Sequence, residues 1–453
     1  MSPDREFPAD AIQDASQLRD WVLGGAKGPD AILGVGTEHE KIGFADIHGN
    51  PISFFGEKGI NRLLEVIADK FGWNRLYDGG HLLALERNGA SVTLEPGGQL
   101  ELSGAVMQSA FGTKRELENH LHEVRVASRE LGMEYMFVGM NPWHQPDDIT
   151  WLPKPRYTVM KSYLPRRGPL APWMMKTTGS IQANLDFRDE ADAMEMLRIA
   201  ALVSPLFTAT FANSPITQGK RNGMDSYRMA IWEDTDRDRC GTPAFMLDPH
   251  AEVMDYVQWV LDVPMFFIKR GDEYIDMAGA SFRRFMQEGY EGHRATMDDW
   301  EIHISTAFPD VRLKTYVETR TTDVAKPDHI VALAALWKGI FYDRGARDAA
   351  LALPLARNFE ESEQLIHIAR SEGLAGTFRD RGIRDLASEL VEIAAEGLRR
   401  QNSPDGDEST LLACLRDDAG VIRAPGEQFL KDWERYEGAP EKLIPLWGIA
   451  KDA

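Results

Sequence analysis

Four stretches of the chain place polar residues at every second position, and in each this polar set is rich in carboxylates and amides. Gly34-Val-Gly-Thr-Glu-His-Glu-Lys-Ile-Gly-Phe44 sets Glu38 and Glu40 two residues apart, so on a strand both point the same way, in line with Ile42 and Phe44. In Leu94-Glu-Pro-Gly-Gly-Gln-Leu-Glu-Leu-Ser103 a Pro-Gly-Gly turn separates Glu95 from a run with Gln99, Glu101 and Ser103 on one face and Leu100 and Leu102 on the other. Ser180, Gln182, Asn184 and Asp186 form a polar face backed by Ile181, Ala183, Leu185 and Phe187. Late in the chain, Tyr316, Glu318 and Arg320 share a face, with Val317 and Thr319 opposite.

Helical spacing predicts the elements around these strands. Thr113-Lys-Arg-Glu116 reads as a capping box ahead of Leu117, Leu121, Val124 and Leu131. A second amphipathic run begins near Asp189 and is expected to stop at Pro205. Residues 142–172, rich in proline and aromatics, read as an ordered loop region rather than a linker. From about Asp328 helices dominate, over 328–343, 359–373 and 383–400, and residues 401–407 form a surface loop. No internal repeat is evident. The expectation is one α+β catalytic unit over 1–453, with a mixed core at 1–327 and a mainly helical portion at 328–453 packed on it.

A sheet with one face in water would give the same alternation. Composition separates the two readings, because a solvated face mixes in Lys, Thr and Ser. These faces carry Glu38, Glu40, Glu95, Glu101 and Glu318 with a single cation, Arg320. Five converging carboxylates cannot all stay ionised without positive charge between them. Hard oxygen donors suit Mg²⁺ or Mn²⁺, and no Cys or His cluster has zinc spacing. Divalent ions beside an arginine suggest phosphoryl transfer from a nucleotide.

Charge and composition narrow the remaining classes. The 453 residues are 43% hydrophobic and 27% charged, as in globular enzymes. A formal net charge of -20 argues against a nonspecific nucleic-acid or anionic-membrane surface, so positive potential for an anionic substrate must be built locally. No apolar run reads as a membrane span. The polar, acidic stretch Met1 to Asp20 lacks a signal-peptide core, and the chain is expected in the cytoplasm. Its two cysteines, Cys240 and Cys414, make no disulfide framework and fit a reducing compartment; they read as structural thiols, with a reactive thiol as the alternative.

The segments 36–44, 94–104 and 182–187, with Ala212-Asn-Ser-Pro215, Ile231-Trp-Glu-Asp-Thr-Asp236 and Asp262-Val-Pro-Met265, together resemble glutamate-cysteine ligase of the plant and proteobacterial type, in order from about Gly34 to Trp337. The resemblance implies the glutamine-synthetase-like carboxylate-amine ligase fold, a curved antiparallel sheet forming a cup for ATP, Mg²⁺ and glutamate. It also implies the reaction. ATP phosphorylates the γ-carboxylate of L-glutamate, and the amine of L-cysteine displaces phosphate to give γ-glutamylcysteine, the first step toward glutathione.

By the same resemblance Glu38, Glu40, Glu95 and Glu101 are metal ligands, and Gln182 and Asn184 lie beside the phosphates. Glu318 and Arg320 form a Glu-x-Arg pair, assigned to metal binding and to charge on the transferring phosphoryl group. Arg228 is expected near a substrate carboxylate or phosphate; a surface ion pair with Asp234 is the alternative. Trp232 and Tyr316 are candidate pocket walls or strand core, and Lys161 and Lys176 are weaker candidates for the substrate site. Plant members carry a regulatory cysteine pair flanking the segment matching residues 274–285. Here Met277 takes the first of those positions and no cysteine follows nearby, so that redox control is expected to be absent and the chain to be a monomer or homodimer. Other readings stay open: a ligase of the same fold with another amine or donor, a catalytically silent metal- or nucleotide-binding regulator, and a metal phosphohydrolase.

Overall fold

A computed structural model describes residues 11–449. The N-terminal stretch read for targeting therefore falls, over residues 1–10, outside the described residues. The four alternating segments become neighbours in one antiparallel sheet of nine strands. These are β1 (Val35–Phe44), β2 (Asn74–Asp78), β3 (His81–Arg87), β4 (Ala90–Leu94), β5 (Leu100–Ser103), β6 (Glu134–Met136), β7 (Ser180–Leu185), β8 (Val311–Leu313) and β9 (Val317–Asp323). Their order is β8-β9-β7-β1-β5-β4-β3-β2, with β6 alongside the end of β1. The expected antiparallel sheet flanked by helices is what the chain forms.

The register brings the polar faces together. Glu40 lies opposite Glu101 and Glu38 opposite Ser103 across β1 and β5, while Glu38 faces Gln182 across β1 and β7. Glu318 lies opposite Asn184, and Arg312 opposite Glu318. Directly opposed residues of an antiparallel pair share a face, so these groups line one concave surface. Ile42 and Phe44 continue the face of β1 beyond the acids, where Leu443, Ile444 and Trp447 cover them. Behind the sheet, Ile181, Ala183, Leu185 and Val317 join a large cluster with Leu197, Phe207, Leu333, Trp337 and Leu390. One core therefore continues from the sheet into the C-terminal helices.

Helix Glu190–Thr210 runs straight through Pro205, which the sequence reading took as its end. Nearly every side chain from Ala193 to Thr210 is buried, and that burial outweighs the roughly 3 kcal/mol that an interior proline costs. This helix is also long and apolar enough to cross a membrane, contrary to the sequence reading, but it is the buried centre of the core. Helix Ala110–Leu131 starts earlier than expected: Ser109 caps it through the Gly112 N–H, and Glu116 instead accepts from the Ala105 N–H. The stretch read as loop over 142–172 contains helix Arg156–Tyr163 and the start of Ala171–Thr177. Helices Pro327–Phe341, Phe359–Ser371 and Ile383–Gln401 match the expected C-terminal pattern.

Candidate active site

The floor of the cup is acidic and only partly compensated. Glu38 and Glu40 are half-buried on β1 and Glu101 is buried on β5. Glu38 accepts from Asn184 Nδ2 (2.9 Å), Glu40 from the Ser180 N–H (2.6 Å) and Glu101 from Thr93 Oγ1 (2.6 Å). None of these donors is a cation. Burial, and then the neighbouring carboxylates, push Glu40 up to about 8, and the same causes raise Glu38 and Glu101. Glu95 sits in the turn between β4 and β5, accepting through its carbonyl from Gly98, whose φ of 84° a side chain would strain. Gln99 closes that turn: it accepts from the Gly97 N–H (3.0 Å) and donates to the carbonyls of Thr178 (2.9 Å) and Met175 (3.3 Å).

The wall on β8 and β9 is cationic. Arg320 donates to Gln182 Oε1 (2.9 Å) and to Glu318, with its guanidinium 5.6 Å from the Trp232 ring centre. Arg312 binds Glu318 bidentately, Nη2 to Oε1 (2.7 Å) and Nε to Oε2 (3.1 Å), and anchors itself on the Ser305 carbonyl (2.8 Å). Lys314 Nζ lies 3.9 Å from Glu318 and 4.8 Å from the Tyr316 ring centre. Burial alone would raise the Glu318 carboxyl; Arg312, Arg320 and Lys314 outweigh it and hold it well below the usual range. Both Glu318 oxygens thus have guanidinium partners, and a metal ion could use this carboxylate only by replacing one of them. Arg320 is accordingly not the sole cation of these faces.

The remaining candidates divide clearly. Arg228 is buried on the short helix Tyr227–Glu233, donates to the Arg320 carbonyl (3.0 Å) and leaves its Nε unpartnered. This excludes the surface pair with Asp234. Trp232 lies on the same helix rather than on a strand, half-buried between Arg320 and Phe308. Lys161 is exposed on helix Arg156–Tyr163, and Lys176 spends its charge on the Pro146 carbonyl and the Trp151 ring (4.9 Å), so neither is brought to the acids. Two cations not anticipated stand at the opposite end of the cup. Lys154 donates to the Leu94 carbonyl (2.5 Å) in the field of Glu95 and Glu101, and Arg156, also in the field of Glu95, keeps its Nε unpartnered.

Both sets of missed cations left a signal. Val311-Arg-Leu-Lys314 continues the alternation of the Glu-x-Arg strand, and Pro153-Lys-Pro-Arg156 concentrates charge within an aromatic segment. A second surprise lies on the back of β1. Lys41 is fully buried and donates to His39 Nδ1 (3.0 Å) or shares its proton, with the His120 ring 5.7 Å from that of His39.

Among the described residues, no three Asp, Glu, His or Cys groups form a ready-made metal cage. The donor set still fits a hard divalent cation. Like-charged carboxylates face one another without a cation between them, and Mg²⁺ commonly takes one or two carboxylates and completes its shell from phosphate oxygens and water.

An antiparallel cup with an acidic floor and an arginine wall suits metal-assisted phosphoryl transfer. Residues 34–422 match the model of glutamate-cysteine ligase family 2 (GCS2), and the chain belongs to that family. It is 37% identical to a chloroplastic glutamate-cysteine ligase of Medicago truncatula over 94% of this chain and 83% of that protein. With the chloroplastic enzyme of Nicotiana tabacum it is 40% identical over 92% of this chain and 78% of that protein. The fold is similar to that of a glutamate-cysteine ligase from Francisella tularensis in complex with AMP, with a TM-score of 0.55 and 12% identity over 92% of this chain and 87% of that one. The chloroplastic names of these curated relatives overturn the expectation of a cytoplasmic protein.

Proposed function

We propose that the chain joins the γ-carboxylate of L-glutamate to the amine of L-cysteine at the expense of ATP, giving γ-glutamylcysteine. The observation that carries this reading is the opposition of an undercompensated acid floor, Glu40 against Glu101, to the guanidiniums of Arg320 and Arg228. Family membership and the names of its relatives support the choice of substrates.

Glu38, Glu40, Glu95 and Glu101 would hold Mg²⁺, or Mn²⁺, with Glu318 contributing only on release of a guanidinium. The ion supplies charge neutralisation for the nucleotide phosphates. Arg320, fixed by Gln182 and Glu318, meets charge on the phosphoryl group as the γ-carboxylate oxygen bonds to phosphorus and ADP departs. The cysteine nitrogen then bonds to the acyl carbon, phosphate leaves, and the nitrogen loses a proton. Buried Arg228 and half-buried Arg156, each with an unpartnered Nε, stand at the two ends of the cup and suit substrate carboxylates. Asn184, Trp232 and Tyr316 shape the wall.

The test is ADP release by purified protein with MgATP and L-glutamate, with and without L-cysteine, and mass spectrometry of the product. Cysteine-dependent turnover yielding γ-glutamylcysteine is expected. Turnover with another amine but not with cysteine overturns the substrate assignment.

A further inference from the structure

The mechanism leaves unused a buried carboxylate behind Arg228. Asp323, the last residue of β9, is 1% exposed and has three hydrogen-bond donors. Its Oδ2 accepts from the Asn213 N–H (2.8 Å) and Ser214 Oγ (2.6 Å), and its Oδ1 from Ser226 Oγ (3.0 Å). Oδ1 also stands 4.0 Å from Arg228 Nη1. Ser214 Oγ in turn accepts from the Arg228 N–H (3.1 Å), so one hydroxyl ties the carboxylate to the backbone from which the arginine projects.

All three donors to this carboxylate are neutral, and an amide in its place would fill nearly the same space. Its negative charge therefore needs a reason, because a buried charge is retained at a desolvation cost. Arg228 supplies the reason: its guanidinium lies in the combined field of Asp323 and Glu40, and Glu40 accepts from the N–H of Ser180, the strand partner of Asp323. The position of Asp323 is also fixed from behind. A Cβ on Gly139 would fall 2.6 Å from the Asp323 Cβ and Cγ, so the side chain packs against bare backbone that leaves no room behind it.

Resting on the proposed function, we propose that Asp323 is a positioning residue for the reaction: through Ser214, Ser226 and its own charge it sets the direction of the Arg228 guanidinium toward the glutamate substrate. The carboxylate touches no substrate and acts only through Arg228.

The test is a double-mutant cycle of Asp323→Asn and Arg228→Lys in the full chain, with kcat and KM for L-glutamate and for ATP measured for all four proteins. Asp323→Asn is expected to raise KM for L-glutamate at least tenfold while KM for ATP moves less than twofold. In the Arg228→Lys background the same change should add less than twofold. Multiplicative effects on kcat/KM, or equal rises in both KM values, overturn the inference. Should Asp323→Asn not fold, Ser226→Ala replaces it, with the same required non-additivity. A parent protein that ligates no amine to glutamate overturns the functional reading and this inference together; an active parent with multiplicative effects overturns the inference alone.

Discussion

Glu38 and Arg320 make the clearest contrast among single residues, since one awaits positive charge and the other delivers it. Glu38→Gln keeps an acceptor for Asn184 Nδ2 while removing a charge that burial and like-charged neighbours already disfavour. Thermal stability is therefore expected to hold or rise, whereas turnover falls on the order of a hundredfold, about 2.7 kcal/mol. Near-parental turnover would remove Glu38 from the site. Arg320→Lys loses the planar donors that reach Gln182 and Glu318 at once. A fall in kcat of roughly ten- to a thousandfold is expected, and a kcat within about twofold of the parent would show that Arg320 merely neutralises Glu318. Glu38, Glu40, Glu101, Glu318 and Arg320 were legible in the sequence because strand alternation aligns each with its neighbours on one face, whereas Glu95 lies in a turn. The partners of Glu318 were not: Arg312 comes from a neighbouring strand, and only pairing register puts it opposite that carboxylate.

At the level of elements, the Pro-Gly-Gly turn shows how local sequence places an acid. A Cβ on Gly97 would lie 2.2 Å from the Lys176 carbonyl, backbone against backbone. Gly97→Ala is therefore expected to destabilise the protein by about 1–3 kcal/mol, read as a lower midpoint in urea unfolding, and to displace Glu95 with the turn. An unchanged midpoint would mean that the turn adapts freely. Alternation identified β1, β5, β7 and β9 because each carries a row of polar residues on one face, and the 359–371 and 383–401 helices because each keeps an apolar stripe. It failed for helix Glu190–Thr210, which is buried nearly all round, so packing rather than pattern decides its end. It says nothing of the back of β1, where His39 and Lys41 are buried and pair with each other.

For the molecule as a whole, the proposed function would have an acidic chain handle an anionic nucleotide with cations at the two ends of one cup and metal ions on its acidic floor. Glu40, held at about 8 with burial as the main cause, keeps its proton below that pH, and a metal ion must displace it. Mg²⁺ affinity is therefore expected to rise from pH 6 to 8, with proton release measured by calorimetry in buffers of different ionisation enthalpy. Affinity independent of pH would contradict the assignment. Cys240 and Cys414, whose thiols burial pushes up to about 12, are both free, consistent with structural roles. The most direct test of the ligase account follows the γ-carboxylate oxygen itself. With L-glutamate carrying ¹⁸O in both γ-carboxylate oxygens, together with ATP and L-cysteine, each turnover should deliver one ¹⁸O into inorganic phosphate and retain one in γ-glutamylcysteine; product formed alongside unlabelled phosphate would contradict it.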